Sequence, residues 1–406
     1  MRIAIVTDSI EIGPTSVGNY TYNFIKYLLN LPETKDWKFF LIHGEKNNLD
    51  IYKNKKVKDI IIPFIVNTST LIKLVNWRLQ PAFIKIQNDI RNYFRMSKMF
   101  NLLLANNINV LHIPHLGRPA PSLFFLRHNL KLIVTNHGMA NLALPNNLCW
   151  MNSPLFIKQL YSLEILFWKL LRKKITSLIT VSNSEKDNII IKKLNFPENK
   201  IRVIYHGVNH QKFKIYDKEH ATTILYNKYN INSPFILHVS SYQPKKNLIN
   251  ILKAFNFLKK EFGIKHKLLV VGQQPNFIKK QAKKFENNKD IIFLGHITHT
   301  DLPLFYNLAT CFVFPSLHES FGMPIIEAMA CGCPVVTSNV FSCPEVAGDA
   351  ALLVDPYNMQ KIAEAIYLLL SDKKLRDELK RKSLARAKEF TWEKCAMQHY
   401  NVYSKI

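Results

Sequence analysis

The sequence lacks the features that mark several common protein classes. No apolar run of roughly 18 residues occurs, which argues against a membrane-spanning helix. The start, MRIAIVTDSIE, has no basic segment followed by a long apolar one, so we expect no signal peptide. The 6 cysteines show no disulfide-scaffold spacing, which favours the reducing cytoplasm. Cys331 and Cys333 have no second Cys/His pair nearby, so packing at a helix end is the simpler interpretation than a metal site.

Two phosphate-binding fingerprints and one metal motif are also missing. No G-x-G-x-x-G run occurs, and no Lys-Ser/Thr pair follows Gly18, which excludes a P-loop there. No Asp-x-Asp occurs anywhere in the chain. We therefore expect no divalent metal and no other bound cofactor.

Acidic residues are scarce relative to basic ones. Asp and Glu number 29 against 55 Lys and Arg, which gives a net charge of +26. Between Lys73 and Lys98, basic side chains interleave with aromatic and aliphatic ones around Asp89. This composition fits an amphipathic helix on an anionic membrane surface, and equally a helix on the domain core with a solvated basic face. No recognised nucleic-acid-binding motif accompanies the charge, so we expect no nucleic-acid partner.

Apolar runs alternate with helical patterns along the whole chain, which is typical of a parallel α/β sheet. A polar stretch from about 209 to 233 separates two series of runs. The pattern predicts two doubly wound, Rossmann-like domains facing a cleft, over 1–210 and 211–389, with a helix at 390–406 crossing back to the first domain. The predicted strands are Ile3–Thr7, Lys38–Ile42, Ile60–Ile65, Val110–Ile113, Leu132–Thr135, Leu178–Val181, Arg202–Ile204, Phe235–Val239, Lys267–Val271, Ile291–Leu294, Cys311–Phe314, Val335–Thr337 and Ala351–Val354.

The most informative segment is 315–334, PSLHESFGMPIIEAMACGCP. It joins an apolar strand to a helix whose first turn contains Pro324, where a missing N–H costs nothing. The amides of Phe321, Gly322 and Met323 would then point at an incoming anion, aided by the helix dipole. Glu319 and Glu327 flank this turn and need a partner other than phosphate, for which sugar hydroxyls are the obvious candidates.

Other candidate residues follow strands, because open α/β sheets bind ligands at the carboxyl ends of their strands. Gly13 and Gly18 lie in the first such loop, where a plain βα turn is the alternative interpretation. His137 follows another strand, although a lone histidine is more often structural. For His206 and Gly207, near the hinge, turn geometry is the better explanation.

In the second domain, Lys245 and Lys246 follow the first strand, where positive charge would neutralise a diphosphate. Gly272 and Gly295 each end a strand and would suit a nucleotide base pressed against the backbone.

The second domain resembles the retaining GT-B glycosyltransferases known as glycosyl transferases group 1, which carry two glutamates spaced eight residues apart. The resemblance covers about 120 residues, and its motifs are ILHVSSYQPKKNL, LVVG, FLGHI, PSLHESFGMPIIEAMACGCPVV and CPEVAGDAALLVDP. The first 170 residues match only loosely. The segments VSNSEKDNI and VIYHGVN are similar to the interdomain region of the same family.

This resemblance implies roles for matching residues. Glu327 would hold the ribose of a nucleotide, and Glu319 would face the donor sugar near its reacting carbon. Lys246 would bind the diphosphate, His137 would approach the sugar from the first domain, and Gly18 would lie at the acceptor side. The remaining residues expected to contact substrate are Gly13, Lys245, Ser241, Gly272, Gly295, Ser320, Phe321, Gly322 and Met323.

One departure concerns positive charge. Many members have Gly-Arg where this chain has Ser240-Ser241, and we expect Lys245 to replace that arginine. The resemblance further implies a nucleotide-sugar donor, GDP-mannose-like or a UDP-sugar, and a glycan or lipid-linked acceptor of cell-surface polysaccharide synthesis. The mannosyltransferase-like subgroup is favoured, with a cytoplasmic location, peripheral on a membrane if the basic segment binds one.

Front-face attack is favoured over a covalent intermediate, because no carboxylate besides Glu319 is a plausible nucleophile. The alternatives are another GT-B enzyme, such as a nucleotide-sugar epimerase or a phosphorylase, and a basic nucleic-acid-binding protein.

Overall fold

A computed structural model describes residues 1–11, 16–44, 49–62, 98–115, 130–144 and 165–406. Within these ranges the chain forms two parallel sheets, ordered β3-β2-β1-β4-β5-β6-β7 and β10-β9-β8-β11-β12-β13. The predicted doubly wound α/β architecture is therefore confirmed. The first sheet contains β1 (Arg2–Val6), β2 (Lys38–His43), β3 (Val57–Ile61), β4 (Val110–Ile113), β5 (Lys131–Asn136), β6 (Ile175–Thr180) and β7 (Ile201–Val203). The second contains β8 (Phe235–Val239), β9 (Lys267–Val271), β10 (Ile291–Gly295), β11 (Cys311–Phe314), β12 (Val335–Ser338) and β13 (Ala351–Val354).

Helices cover both faces of the sheets, which is why the central strands are apolar throughout. In the described part of the first sheet's domain they include α1 (Asp8–Glu11), α2 (Ser16–Asn30), α3 (Ala140–Ala143) and α4 (Asn183–Glu185), the last continuing as a π-helical turn at Lys186–Ile191. Residues 98–105 and 165–171 are helical as well. Around the second sheet they are α5 (Lys218–Tyr229), α6 (Leu248–Phe262), α7 (Asn276–Ala282), α8 (Leu302–Leu308), α9 (Met323–Ala330), α10 (Ser342–Ala347), α11 (Met359–Ser371) and α12 (Lys373–Ala387). The last helix, α13 (Trp392–Ser404), returns to the first sheet.

Strand β3 differs from its prediction, Ile60–Ile65. It starts at Val57 and includes Lys58 and Asp59, which are exposed because β3 is the edge of the sheet in the described structure. Charged side chains are common on edge strands, where they discourage pairing with another chain. The apolar run therefore missed the charged start of the strand, and residues 63–65 of the prediction lie outside the described ranges.

The last helix, α13, packs against α2 beside the first sheet. The Tyr20 hydroxyl lies 2.7 Å from Nε2 of His399, and the Tyr403 hydroxyl lies 2.6 Å from Nδ1 of His112. Trp392 is buried in the same cluster. The domain limits at 210 and 389 stay a prediction, and the two sheets fall on either side of residue 210.

The basic segment 73–98 lies outside the described residues except for Lys98, and so does Cys149. Cys331 and Cys333 are buried where α9 ends. Among the helices that the structure describes, none is both long and apolar enough to cross a bilayer.

Candidate active site

A cleft of about 770 Å³ lies between the carboxyl edges of the two sheets. Each sheet reverses its strand order there, between β1 and β4 and between β8 and β11, as expected for a ligand site in open α/β sheets. The predicted residues that line this cleft are Gly18, His137, Lys245, Lys246, Glu319, Ser320, Phe321, Gly322, Met323 and Glu327.

Glu319 and Lys246 form an ion pair at the centre of the cleft. Glu319 is 7% exposed, and its Oε1 lies 2.6 Å from Nζ of Lys246. Burial opposes ionisation of Glu319, but Lys246 and Lys245 hold its pKa below the usual value. The carboxyl group is therefore an anion at neutral pH, and the lysine beside it is already oriented.

The loop that carries Glu319 is fixed from below by α10. The hydroxyl of Ser342 donates to the backbone oxygens of Glu319 and Phe321, at 2.8 and 2.9 Å. Gly322, the residue before α9, has a φ of +103°, which only glycine adopts readily. These constraints hold the turn from β11 into α9 in one conformation, with the helix N-terminus at the cleft.

Glu327 lies on α9 and differs electrostatically from Glu319. Burial raises its pKa to about 7, although Lys212 and the Tyr306 hydroxyl, 3.4 Å away, both act to lower it. One carboxyl group of the pair is thus anionic at neutral pH, while the other is near its titration midpoint.

His137 reaches the cleft from the end of β5. Its Nε2 lies 2.9 Å from the Pro114 carbonyl, so Nε2 carries the proton and donates. Nδ1 is buried and has no hydrogen-bond partner among the described residues. Burial, together with His206 and His115, holds the pKa of His137 well below its usual value. The ring is therefore neutral, and Nδ1 can accept a hydrogen bond.

The two sides of the cleft touch at Gly138 and Ser320. Gly138 has a φ of +115°, and a Cβ added there would lie 1.6 Å from Oγ of Ser320. Only glycine allows this approach. Gly207 is constrained similarly, because a Cβ there would lie 2.3 Å from the backbone nitrogen of Trp392. Close packing on Trp392, and not a left-handed turn, is what requires glycine at 207, while His206 itself lines the cleft.

Three other predicted residues are not among those lining the cleft. Ser241 is exposed, and the amide of Gly272 donates to the Gly295 carbonyl at 2.7 Å. A Cβ on Gly272 would lie 2.3 Å from the Ser240 carbonyl, so this glycine allows close backbone packing. Their substrate contacts stay a prediction. Gly13 lies outside the described residues, whereas Gly18 is buried in α2 and lines the cleft.

The structure shows what Ser240 of the Ser240-Ser241 departure contacts, while the replacement of the arginine by Lys245 stays a prediction. The Ser240 hydroxyl lies 2.7 Å from Nε2 of His238, whose Nδ1 donates to the Val313 carbonyl at 2.9 Å. Ser240 therefore belongs to a buried hydrogen-bond network. Lys245 lines the cleft near Glu319 and provides a second positive charge there.

Sequence reasoning missed several residues of the cleft. Lys212 follows the hinge motif and acts electrostatically on Glu327, and Tyr20 packs 4.5 Å from His137, measured between ring centroids. Glu345 on α10 accepts hydrogen bonds from the amides of Asn183 and Ser184, at 2.7 and 2.9 Å, and so joins the two domains. The position of Lys212 directly after HGVNHQ was an available signal; the other contacts depend on how the domains meet.

Comparisons with known proteins agree with this architecture. A family model described as Glycosyl transferases group 1 matches residues 224–386, and one described as Glycosyltransferase Family 4 matches residues 73–212. The chain is 28% identical to O-antigen chain mannosyltransferase B of Escherichia coli over 416 residues, which span 100% of both proteins. It is 34% identical over 177 residues to the serotype-specific mannosyltransferase WbdA of E. coli, covering 42% of this chain and 22% of the relative.

Solved structures share the fold. Sucrose-phosphate synthase of Thermosynechococcus elongatus superposes with a TM-score of 0.72 at 18% identity, covering 100% of this chain and 98% of the other. Anabaena HepE in complex with UDP-glucose superposes with a TM-score of 0.69 at 15% identity, covering 100% of both. The family matches and these likenesses lead to one conclusion: residues 224–386 belong to the glycosyl transferases group 1 family, residues 73–212 to Glycosyltransferase Family 4, and the chain is a glycosyltransferase with a GT-B fold.

Proposed function

We propose that this glycosyltransferase moves a hexose, mannose in first place, from a nucleoside diphosphate sugar to a glycan or lipid-linked acceptor of a cell-surface polysaccharide, with retention and without a metal. The observation that carries the proposal is the Glu319–Lys246 pair at the start of α9, which faces His137 across the cleft. The named mannosyltransferase relatives support the choice of sugar and acceptor class.

Each end of the donor has complementary groups. Lys246, Lys245 and the α9 N-terminus attract a diphosphate, and Glu327 is placed to accept hydrogen bonds from ribose hydroxyls. Glu319 and neutral His137 flank the remaining space, where a sugar would lie. Several structural neighbours were solved with UDP or a UDP-sugar bound, which supports a nucleotide in this cleft and leaves the base to experiment.

In the reaction, the bond between the anomeric carbon and the β-phosphate oxygen breaks, and its electron pair leaves with the nucleoside diphosphate. Lys246 and Lys245 stabilise this developing charge, while the Glu319 carboxylate stabilises the positive charge on the sugar. The acceptor hydroxyl attacks from the same face, and its proton passes to the departing phosphate oxygen. Because two lysines supply the neutralising charge and the sequence has no Asp-x-Asp, the mechanism needs no metal.

The donor and stereochemistry are tested together. We would incubate the protein with UDP- and GDP-sugars, including GDP-mannose, and measure thermal stabilisation and transfer to extracts of lipid-linked glycans. The proposal expects stabilisation by one nucleotide class, an α-linked product from an α-linked donor by NMR, and full activity in EDTA. An inverted product would refute retention, and inhibition by EDTA would refute metal independence.

We also propose that the protein works at the cytoplasmic face of a membrane. The net charge of +26 and the isoelectric point near 9.7 support attraction to anionic lipids. Co-sedimentation with vesicles tests this directly. Binding should require anionic lipid and weaken as salt rises, and equal binding to neutral vesicles would contradict it.

A further inference from the structure

The turn after β6 and the short helix α4 contact the second domain beside the cleft. Ser182 caps this helix, and Glu185, its last residue, is 2% exposed. We propose that Glu185 is a positioning residue, which fixes the His137 loop and the Glu319 loop relative to each other. The inference rests on the proposed function only in assuming that these two loops hold the donor sugar.

Towards the His137 loop, Glu185 acts as a hydrogen-bond acceptor. The backbone amide of Met139 donates to its Oε1 at 2.9 Å. Gly138, between His137 and Met139, lies so close that a Cβ there would be 3.7 Å from the same oxygen. The carboxyl group therefore sets the position of the chain two residues after His137.

Towards the Glu319 loop, the second carboxyl oxygen faces His318. Oε2 of Glu185 lies 3.6 Å from Nε2 of His318, which is completely buried and packs against Phe341. Neither ring nitrogen of His318 has a hydrogen-bond partner within the described ranges. Glu185 thus places a carboxyl oxygen within 4 Å of an otherwise unsatisfied side chain that directly precedes Glu319.

A second contact runs beside the first and restricts the same loop. The Ser182 hydroxyl donates to the Ser320 carbonyl at 2.6 Å and accepts from the Glu185 amide at 3.1 Å. Residues on both sides of Glu319 are thereby tied to one segment of the first domain. Glu185 does not line the cleft, so it acts through the loops and does not touch the donor.

Such an arrangement matters because catalytic groups on two domains must meet at a fixed distance. A displacement of about 1 Å can cost about a hundredfold in rate. The two oxygens of a carboxyl group can each face a separate partner, which lets one buried side chain hold two loops. An amide in its place keeps one acceptor oxygen and replaces the other oxygen with an NH2 group.

The test compares Glu185→Gln and Glu185→Ala with a matched control, Glu198→Gln. Glu198 is an exposed glutamate that pairs with Lys186 in the same region and touches neither loop. For each protein we would measure amide hydrogen exchange in residues 136–143 and 315–323 without donor, then kcat and the donor KM with the nucleotide sugar that the wild type uses.

In Glu185→Ala, exchange should rise about tenfold in both loops, while β8 and β9 keep their protection. In Glu185→Gln, only the Glu319 loop should loosen, because the amide oxygen still accepts from Met139. We expect kcat of Glu185→Gln to fall by about 10- to 100-fold with the donor KM within about threefold. Glu198→Gln should match the wild type.

Unchanged exchange in both loops of Glu185→Ala would overturn the proposal. If Glu185→Ala fails to fold, Glu185→Gln decides, and an equal rise in exchange across the whole protein would show a purely structural role. A wild type that transfers no sugar would refute the proposed function, yet the exchange measurements would still decide the role of Glu185.

Discussion

The Glu319–Lys246 pair is both a buried ion pair and the proposed catalytic centre. Both side chains are mostly shielded from water, and Nζ of Lys246 also lies 4.9 Å from the centre of the Phe314 ring. Removing one partner of a buried pair leaves an uncompensated charge, which costs more than the pair itself contributes. The two residues should therefore be tested together as well as singly.

Lys246→Met is expected to lower the free energy of unfolding by roughly 3 kcal/mol at pH 8, because Glu319 then loses its partner. Lys246→Met with Glu319→Gln should recover most of that loss, while transfer stays abolished in both. Urea unfolding and a transfer assay measure this. Lys361→Met, in an exposed pair with Glu364, should cost under about 0.5 kcal/mol and keep activity. Transfer within tenfold of wild type in Lys246→Met would refute its assignment.

Glu327 predicts how nucleotide affinity depends on pH. Its pKa of about 7 in the free protein means that half of the molecules are protonated there. If the carboxylate accepts from ribose hydroxyls, affinity should be constant above about pH 8 and fall by about tenfold per unit below pH 7. Calorimetric titration of nucleotide between pH 5.5 and 8.5 measures this.

Glu327→Gln provides the control, since it reports protonation of the nucleotide alone and should show a flatter profile.

The same variant tests the raised pKa of Glu327 through protein stability. A raised carboxyl pKa favours the folded state at pH values below the unfolded pKa, and that contribution is lost as pH rises through 7. The amide should therefore increase the free energy of unfolding at pH 8, by about 1–3 kcal/mol. Identical affinity profiles for wild type and variant would contradict the ribose contact.

At the scale of elements, the two strand-end loops approach each other more closely than ordinary side chains permit. Gly138 follows β5, Ser320 follows β11, and a Cβ on the former would overlap the latter. Because the loops come from different sheets, the contact between Gly138 and Ser320 sets how near the two domains lie to each other.

Gly138→Ala should therefore reduce transfer by at least about a hundredfold, because the added methyl group holds the loops apart. Gly138→Ala with Ser320→Gly should recover part of the activity, since it removes the overlapping atoms while the strain of the positive φ remains. The kcat of both variants measures this. Gly263→Ala is the matched control: its φ is also positive, at +57°, but a Cβ there meets nothing within 4 Å. Full activity of Gly138→Ala would contradict the contact.

At the scale of the whole molecule, buried histidines make the free energy of unfolding depend on pH. His112, His137, His206, His238 and His399 are buried, and desolvation lowers the pKa of each, to about 3 for His206 and about 4 for His238 and His399. Histidines that stay neutral when folded stabilise the fold fully above their unfolded pKa of about 6.5, and this contribution is lost as pH falls below it.

Each of these histidines should cost about 1.4 kcal/mol of unfolding free energy between pH 7.5 and 5.5. Denaturant unfolding at the two pH values measures the sum, against which Glu327 acts in the opposite direction. His206→Phe should reduce the dependence by about one proton, because His206 packs among aromatic rings and neither ring nitrogen has a partner in the described structure. The exposed His220→Gln is the control variant. A stability that rises on acidification would contradict this account.

The sequence predicted most of the fold because buried parallel strands are locally encoded. Five strands, among them Phe235–Val239 and Cys311–Phe314, have the predicted limits, and each is a short, mostly apolar run. Strand β3 was misplaced because an edge strand needs no apolar pattern. Residues such as Lys246 and Glu319 were found because strand ends meet at one edge of a sheet.

Contacts between domains could not be predicted in this way. The approach of Glu185 to His318 and of Gly138 to Ser320 joins residues more than a hundred positions apart, and depends on how two separate sheets are oriented. No local pattern encodes that orientation. The family resemblance, in contrast, was recognisable in the second domain because its motifs lie within one continuous stretch of sequence.

The return of α13 to α2 has a consequence for how the protein is made. The Tyr20–His399 hydrogen bond closes a loop of 379 residues, and Trp392 and Tyr403 complete a core that starts at Ile3. Tyr20 is synthesised long before His399. An apolar face of the first domain therefore stays uncovered while the second domain is synthesised and can fold. The first domain is thus synthesised first but completed last. Its N-terminal residues would be the part of the nascent chain most accessible to chaperones.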